Sequence, residues 1–223
     1  MRPPLRAVAT LVAAAVLLTG CGSGDDDWSQ PHAAPTPVGS LAAGFLGATA
    51  SPAPESTITP SPGSWSAVHP PEGYRVVLLT EGTDAPTTAL VAAVEEWAAA
   101  EHADLRTVTA DTADPVPDIT TAIGMRPDLI VSAGNGLIDP LALVTPSHLD
   151  QPFLVVGAEL AEPTGNVTAV DWSGASFRGE GLGSASTYDV ASFTAERCAA
   201  AIRAGSAAVL SGVTGVVLWL DTF

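Results

Sequence analysis

The fold is decided by the stretch Asp128-Leu129-Ile130-Val131-Ser132-Ala133, which is almost wholly apolar and stands between Pro127 and Gly134. A short run without polar alternation is typical of a strand buried on both faces of a parallel sheet. Similar runs occupy residues 74–80 and 152–157. We therefore expect a parallel sheet with helices packed on both of its faces.

Segments with helical spacing separate these runs. Asp84 followed by Pro86 predicts a helix start, because aspartate caps the first turn and proline is tolerated there. Asp139-Pro140 repeats the signal, and a last helix is expected from Asp189 to Arg203, ending at Gly205. Further strands are expected at 105–109, 166–171 and 216–220. This alternation predicts an α/β fold with a doubly wound, mostly parallel sheet of five or six strands over residues 73–223.

The first 20 residues have the pattern of a secretory signal peptide. Arg2 and Arg6 precede an uncharged run at 7–18, which is too short to span a membrane stably. The block Leu18-Thr19-Gly20-Cys21 resembles the bacterial lipobox. That resemblance implies cleavage before Cys21, a diacylglycerol on its thiol, and a protein held by lipid on the extracytoplasmic face of the cell membrane. The alternative is an ordinary signal peptide with a chance cysteine.

Residues 21–72 differ in composition from the rest of the chain. Nine of the 19 prolines fall in this segment, and neither a helical nor a strand period persists. Such a composition predicts a disordered tether between the lipid and a folded domain that starts at residue 73. Trp28 and Trp65 are interpreted as incidental residues of this tether rather than as contact points.

The charge balance excludes several classes of partner. The chain has 24 acidic and eight basic residues, all of them arginine, so the chain after Cys21 carries about −18. Such a surface repels phosphate backbones, which argues against nucleic acid as a partner. The lack of lysine excludes Schiff-base chemistry. The second cysteine, Cys198, lies in an alanine-rich stretch and is expected to be a buried, inert thiol.

Signatures of catalysis and of metal binding do not occur in the sequence. It contains no Gly-x-Ser-x-Gly, no His-Glu-x-x-His and no P-loop, and its four histidines are far apart. We therefore expect a protein that is not an enzyme and that holds neither a metal nor another cofactor.

Three segments resemble the basic membrane protein family of substrate-binding lipoproteins. They are Gly82-Thr83-Asp84 after the first strand, residues 127–134, and residues 149–157 around the fourth strand. The resemblance implies the N-terminal lobe of a type 1 periplasmic-binding-protein fold. It also implies a small, nucleoside-like ligand and an ABC permease as partner. The family's aromatic turn after the first strand is missing here, and the chain stops near the point where a second lobe would begin.

Ligands of open parallel sheets bind outside the carboxyl ends of the strands. Five residues at such ends are the candidate ligand-binding residues: Gly82, Asp84, Gly134, Asn135 and Trp172. Each has a structural alternative: Asp84 as a helix cap, Trp172 as a seal on the core, and the glycines as turn residues.

The predicted function is an envelope lipoprotein that binds a small polar solute as an ABC-transporter solute-binding protein does. The alternative is a non-catalytic envelope lipoprotein that uses the same lobe for contact with another envelope protein. An enzyme on the same frame is a third reading.

Overall fold

The structure, a computed structural model, describes residues 28, 30, 33–47 and 51–223. The signal segment and Cys21 lie outside the described residues. Among those described, no helix is both long enough and apolar enough to cross a membrane.

The sheet contains seven strands, all parallel, in the order β1-β7-β6-β5-β4-β2-β3. The strands are β1 (Thr57–Ile58), β2 (Arg75–Thr80), β3 (Asp104–Thr109), β4 (Leu129–Ala133), β5 (Phe153–Val156), β6 (Val167–Asp171) and β7 (Val217–Trp219). The predicted α/β class and parallel pairing are confirmed. The seventh strand, β1, comes from the segment that was expected to be disordered.

In the described part of the chain, four helices cover the two faces of the sheet: α1 (Ala85–Ala100), α2 (Val116–Gly124), α3 (Ile138–Val144) and α4 (Ala195–Leu210). In β2, Val76 and Leu78 pack in the layer that contains α1 and α4. Val77 and Leu79 pack in the layer that contains α2 and α3. Because successive side chains of a strand point to opposite faces, this double burial explains the apolar runs that lack alternation.

The last helix departs from its expected bounds. Asp189 caps a short 3₁₀ turn at 190–192, where its Oδ1 accepts from the N–H of Ala191 (2.9 Å). Thr194 caps α4 instead, and the helix continues through Gly205. Gly205 lies inside the helix and does not end it. Because glycine has no side chain, α4 can lie directly on the side chains of Leu154 and Val170.

The prediction of a disordered tether up to residue 72 is wrong for the described part of that segment. We call residues 33–47 and 51–72 the arm. Val38 and His69 form an antiparallel bridge within it, and Phe45 and Trp65 are buried beside α1 and α4. Apolar residues that are sparse along the sequence can still fold when each one enters a core that other elements have built.

The arm also completes the sheet. Thr57 and Ile58 pair in parallel with Val217 and Leu218 of β7. The predicted last strand therefore joins the sheet, as expected, but β1 covers its outer edge. The edge of the sheet on this side is therefore the two-residue strand β1, and a very short edge strand offers few backbone groups for association with other chains.

The first half of the glycine-containing segment 173–186 is packed against the domain. Gly174, Ala175, Ser176 and Gly179 are buried, and the N–H of Glu159 donates to the carbonyl of Phe177 (2.8 Å). This segment covers the carboxyl ends of β5 and β6.

Candidate functional site

The strand order reverses at β2, which lies between β3 and β4. At such a point the connections leave to opposite faces of the sheet, and the carboxyl ends of the two inner strands border a crevice. The structure has a cleft of about 230 Å³ there. Its lining residues are Glu81, Gly82, Asp84, Pro86, Thr87, Gly134, Asn135, Gly136 and Tyr188.

Four of the five residues predicted to bind ligand line this cleft: Gly82, Asp84, Gly134 and Asn135. The fifth, Trp172, lies outside it. Its side chain is fully buried, its Nε1 donates to Ser192 Oγ (3.0 Å), and its ring meets Phe193 edge-on at 5.1 Å between centroids. The assignment of Trp172 to the ligand is therefore corrected to its structural alternative, a seal on the core.

Asp84 caps α1 as the sequence indicated. Its Oδ1 accepts from the N–H of Thr87 (3.1 Å), and its Oδ2 accepts from Thr87 Oγ1 (2.7 Å). The carboxylate is nevertheless exposed at the mouth of the cleft. Asp84 thus places negative charge at the cleft while it holds the first turn of the helix.

Gly134 allows the turn after β4 to approach α1 closely. Its φ is +94°, and a Cβ at this position would lie 2.6 Å from Thr87 Oγ1. A side chain there would be strained by both the backbone angle and the contact. The glycine therefore fixes the distance between the two walls of the cleft.

Glu81 is a cleft residue that the sequence reasoning missed. Its Oε2 is buried and has no hydrogen-bond partner among the described residues. A Cβ on Gly136 would collide with this oxygen, so the glycine leaves space for the carboxylate. The available signal was its position, since Glu81 directly follows the last residue of β2.

Tyr188 closes the cleft from the segment before α4. Its side chain is 45% exposed and its ring lies 5.9 Å from that of Phe193. Partial burial, together with the negative charge of Asp84, raises the pKa of the Tyr188 hydroxyl. The phenol therefore stays protonated and able to donate. The sequence did not indicate that Tyr188 lies at the cleft, since more than a hundred positions separate it from Glu81.

A second polar cluster lies beneath the segment 173–186. Asp171, at the end of β6, is fully buried, and its Oδ1 accepts from the N–H groups of Trp172 (2.8 Å) and Ser176 (2.6 Å). Its Oδ2 has no partner among the described residues. Burial raises the pKa of Asp171 to about 7, against the lowering effect of these two hydrogen bonds, while nearby Glu159 raises it further.

Glu159 belongs to the same cluster. Burial raises the pKa of Glu159, although Arg178, whose Nε lies 2.7 Å from Glu159 Oε1, lowers it. With a single arginine beside two carboxylates, the cluster favours one bound proton. The hydrogen bond from the N–H of Ser176 to Asp171 and the ion pair between Arg178 and Glu159 hold the covering segment in place.

A cavity larger than the cleft lies away from the strand ends. A groove of about 640 Å³ runs between α1 and α4, where Trp65 and His69 of the arm form one wall. His69 Nδ1 lies 2.9 Å from Glu101 Oε2, and Glu96, Glu196 and Arg203 also line the groove. This groove is open space between two helices. The smaller cleft lies at strand ends, has closely packed glycines in its walls, and contains a carboxylate oxygen without a hydrogen-bond partner among the described residues.

Within the part of the chain that the structure describes, no group of three or more histidine, cysteine, aspartate or glutamate side chains could hold a metal ion. Cys198 is fully buried in the core, and burial raises the pKa of its thiol to about 11, with Arg197 opposing. The predicted burial of this cysteine is confirmed.

No protein-family model and no curated protein matches the sequence. Among solved structures, an ABC transporter solute-binding protein from Aeropyrum pernix K1 has 20% identity and a TM-score of 0.40. The match covers 45% of this chain and 29% of that one. A second such protein, from Conexibacter woesei DSM 14684, has 21% identity and a TM-score of 0.37, over 44% of this chain and 35% of that one.

A fragment of a candidate lipoprotein from Peptoclostridium difficile 630 has 18% identity and a TM-score of 0.44, over 61% of this chain and 98% of that one. This chain thus spans about a third of the length of the first two structures. At these identities and TM-scores the similarity transfers no function. Membership of the basic membrane protein family, and correspondence to its N-terminal lobe, stay predictions.

Proposed function

We propose that this protein is a non-catalytic solute-binding protein of the cell envelope, which takes a small polar ligand in the cleft between the ends of β2 and β4. The observation that carries the proposal is the buried Oε2 of Glu81, which has no partner among the described residues and packs against Gly136 in the wall of the cleft. A buried carboxylate oxygen without a partner is unfavourable, so a ligand that donates a hydrogen bond to it would be stabilised.

The chemistry of the cleft selects the ligand class. Two carboxylates and one phenol line it, and none of its described lining residues is lysine, arginine or histidine. Such a lining disfavours anions and favours neutral or cationic molecules with several donors. The volume lies below the roughly 300–1,000 Å³ typical of drug-sized ligands, which fits a sugar, a polar amine or the sugar part of a nucleoside.

The cell location in this proposal comes from the lipobox at Cys21. A lipid there would hold the protein on the extracytoplasmic face of the membrane, and an ABC permease would be the partner that receives the solute. Histidine, cysteine and serine do not occur among the lining residues that the structure describes. We therefore assign the cleft to binding and not to catalysis.

A second candidate function is contact with another envelope protein, and the groove between α1 and α4 favours it. Its walls combine apolar surface from Trp65 and Phe223 with charged side chains at the rim. Clefts that join aromatic anchors to a polar rim are common in protein interfaces.

Ligand binding to two variants of the mature chain, one altered in the cleft and one in the groove, distinguishes the two functions. Nucleosides, sugars and polar amines are first screened by thermal shift, since a ligand of the native state raises its Tm. For a compound that binds, Glu81→Gln should raise the Kd by about 10-fold to 100-fold, the effect of losing a hydrogen bond to a charged group. Ala199→Leu, which fills the groove, should leave the Kd unchanged.

Loss of binding in Ala199→Leu with retention in Glu81→Gln would place the ligand in the groove and contradict the assignment to the cleft. A complete panel without any shift in Tm would contradict the solute-binding function and leave protein contact as the function to pursue.

A further inference from the structure

Trp28 is held firmly against the sheet although it precedes the arm. Its indole is 2% exposed, and its Nε1 donates to Asp104 Oδ2 (2.5 Å). The guanidinium of Arg106 lies 4.1 Å from the centre of the indole ring. A buried indole that is both hydrogen-bonded and stacked under a cation is a strong local attachment.

The backbone near Trp28 is held as well. Arg75 Nη1 donates to the carbonyls of Trp28 (3.4 Å) and Gln30 (3.2 Å). Arg75 is the first residue of β2, and Asp104 is the first residue of β3. The chain is therefore fastened to the amino ends of these two strands, at the β3 edge of the sheet.

The arm continues along the same end of the molecule. Ala34 and Pro35 line a cavity with Tyr74, Pro127 and Pro152, which stand before β2, β4 and β5. The start of the folded chain thus crosses the amino ends of the strands, opposite to the cleft.

This attachment shortens the link between domain and lipid. Cys21 precedes Trp28 by seven residues, and a fully extended chain covers at most about 3.6 Å per residue. The two Cα atoms are therefore no more than roughly 25 Å apart. A 50-residue tether would allow every orientation of the domain, whereas a link of seven residues keeps Trp28 within roughly 25 Å of the lipid-bearing residue.

We propose that the lipid-anchored protein rests on the bilayer in a preferred orientation, with the amino ends of β2 and β3 toward the membrane and the cleft away from it, so that delivery of solute to a permease requires the domain to turn out of this orientation. The proposal rests on the lipid anchor of the proposed function. The partner surface is the lipid bilayer, and the protein surface is formed by the Trp28 attachment and the amino ends of the strands.

The orientation is tested by energy transfer on the lipidated protein in vesicles of phosphatidylethanolamine and phosphatidylglycerol that contain an acceptor lipid. Cys198→Ala removes the native thiol, and a donor dye is attached at Glu72→Cys, near the amino ends, or at Thr83→Cys, beside the cleft. We expect at least twofold higher transfer efficiency from position 72 than from position 83.

Trp28→Ala should bring the two efficiencies close to each other, because the link then extends into the arm. Arg75→Ala, which removes two hydrogen bonds without emptying a buried site, should reduce the difference in a protein with unchanged Tm. Trp28→Phe, which keeps the buried ring, should preserve most of it.

Two failures are distinguishable. Equal efficiencies from both positions in vesicle-bound protein would overturn the orientation while the anchor stands. Absence of binding to vesicles, with the same result for Cys21→Ser, would show that the lipid anchor of the proposed function is wrong and would overturn the orientation with it.

Discussion

Asp171 is the residue whose titration should be visible in the stability of the whole domain. Its pKa is raised to about 7, mainly by burial, from an ordinary value near 4. Between these values the folded state binds a proton that the unfolded state has released, so stability is complete at low pH and falls as pH rises toward 7. In Asp171→Asn this contribution, on the order of 3 kcal/mol, should disappear.

The measurement is the free energy of unfolding by urea from pH 4 to pH 8, compared between the parent and Asp171→Asn. Asp221 provides a control of opposite sign. Burial alone would raise the pKa of Asp221, but hydrogen bonds from the N–H and Oγ of Ser173 and from Trp219 Nε1 lower it. Asp221→Asn should therefore alter only the loss of stability in acid. Parallel curves for the parent and Asp171→Asn would refute the role of Asp171.

Helix α4 lies so close to the sheet that one methyl group should disturb it. A Cβ on Gly205 would meet Leu154 Cδ1 and would lie 2.8 Å from Val170 Cγ2. We expect Gly205→Ala to destabilise the protein by about 1–3 kcal/mol, the usual cost of overpacking a core. Thermal and urea unfolding measure this change.

Gly124 is the matched control, since it ends α2 and a Cβ there would meet nothing within 4 Å. Gly124→Ala should be neutral or stabilising by up to about 1 kcal/mol, because alanine restricts the unfolded chain more than glycine does. Similar effects of both substitutions would mean that α4 is not in close contact with β5 and β6.

Part of this structure was predictable from the sequence alone. The apolar runs located β2, β4 and β5 within one residue at each end, and Asp84 with Pro86 located the start of α1, because burial and capping are local signals. The rule that ligands bind at the carboxyl ends of parallel strands selected Gly82, Asp84, Gly134 and Asn135, and all four line one cleft. The rule did not select Glu81 or Tyr188. The unpaired oxygen of Glu81 is a property of the folded chain, and Tyr188 reaches the cleft from a distant segment.

The arm was missed for the same reason. Its apolar residues are few, and none of them predicts an element by spacing. Trp65 and Phe45 become core residues only because α1 and α4 provide a surface for them. Composition measures whether a segment can fold alone, and the arm folds on a neighbour.

The domain as a whole should depend on the arm. A chain that begins at residue 73 lacks the buried side chains of Phe45, Ile58 and Trp65 and leaves the edge of β7 open. Removal of one large buried side chain costs about 3–5 kcal/mol, and a typical domain has only about 5–15 kcal/mol of stability. We therefore expect the 73–223 chain to be insoluble or to lack a cooperative melting transition.

A chain that begins at Trp28 is the control and should melt within a few degrees of the mature protein, since it keeps every described contact. Calorimetry and one-dimensional proton spectra make the comparison. If the 73–223 chain unfolds cooperatively at the temperature of the control, the arm is an accessory and not part of the core.

The pairing of β1 with β7 also has a consequence for the order of folding. Thr57 and Val217 are neighbours in the sheet but stand at opposite ends of the folded chain. A ribosome releases the first partner long before the second exists, so β1 has nothing to pair with until residue 219 has been made. Contacts between such distant positions close the longest loops and slow the search for the native state. The strand that comes first in the sequence is thus among the last to pair. During synthesis, β1 remains unpaired until β7 has been made.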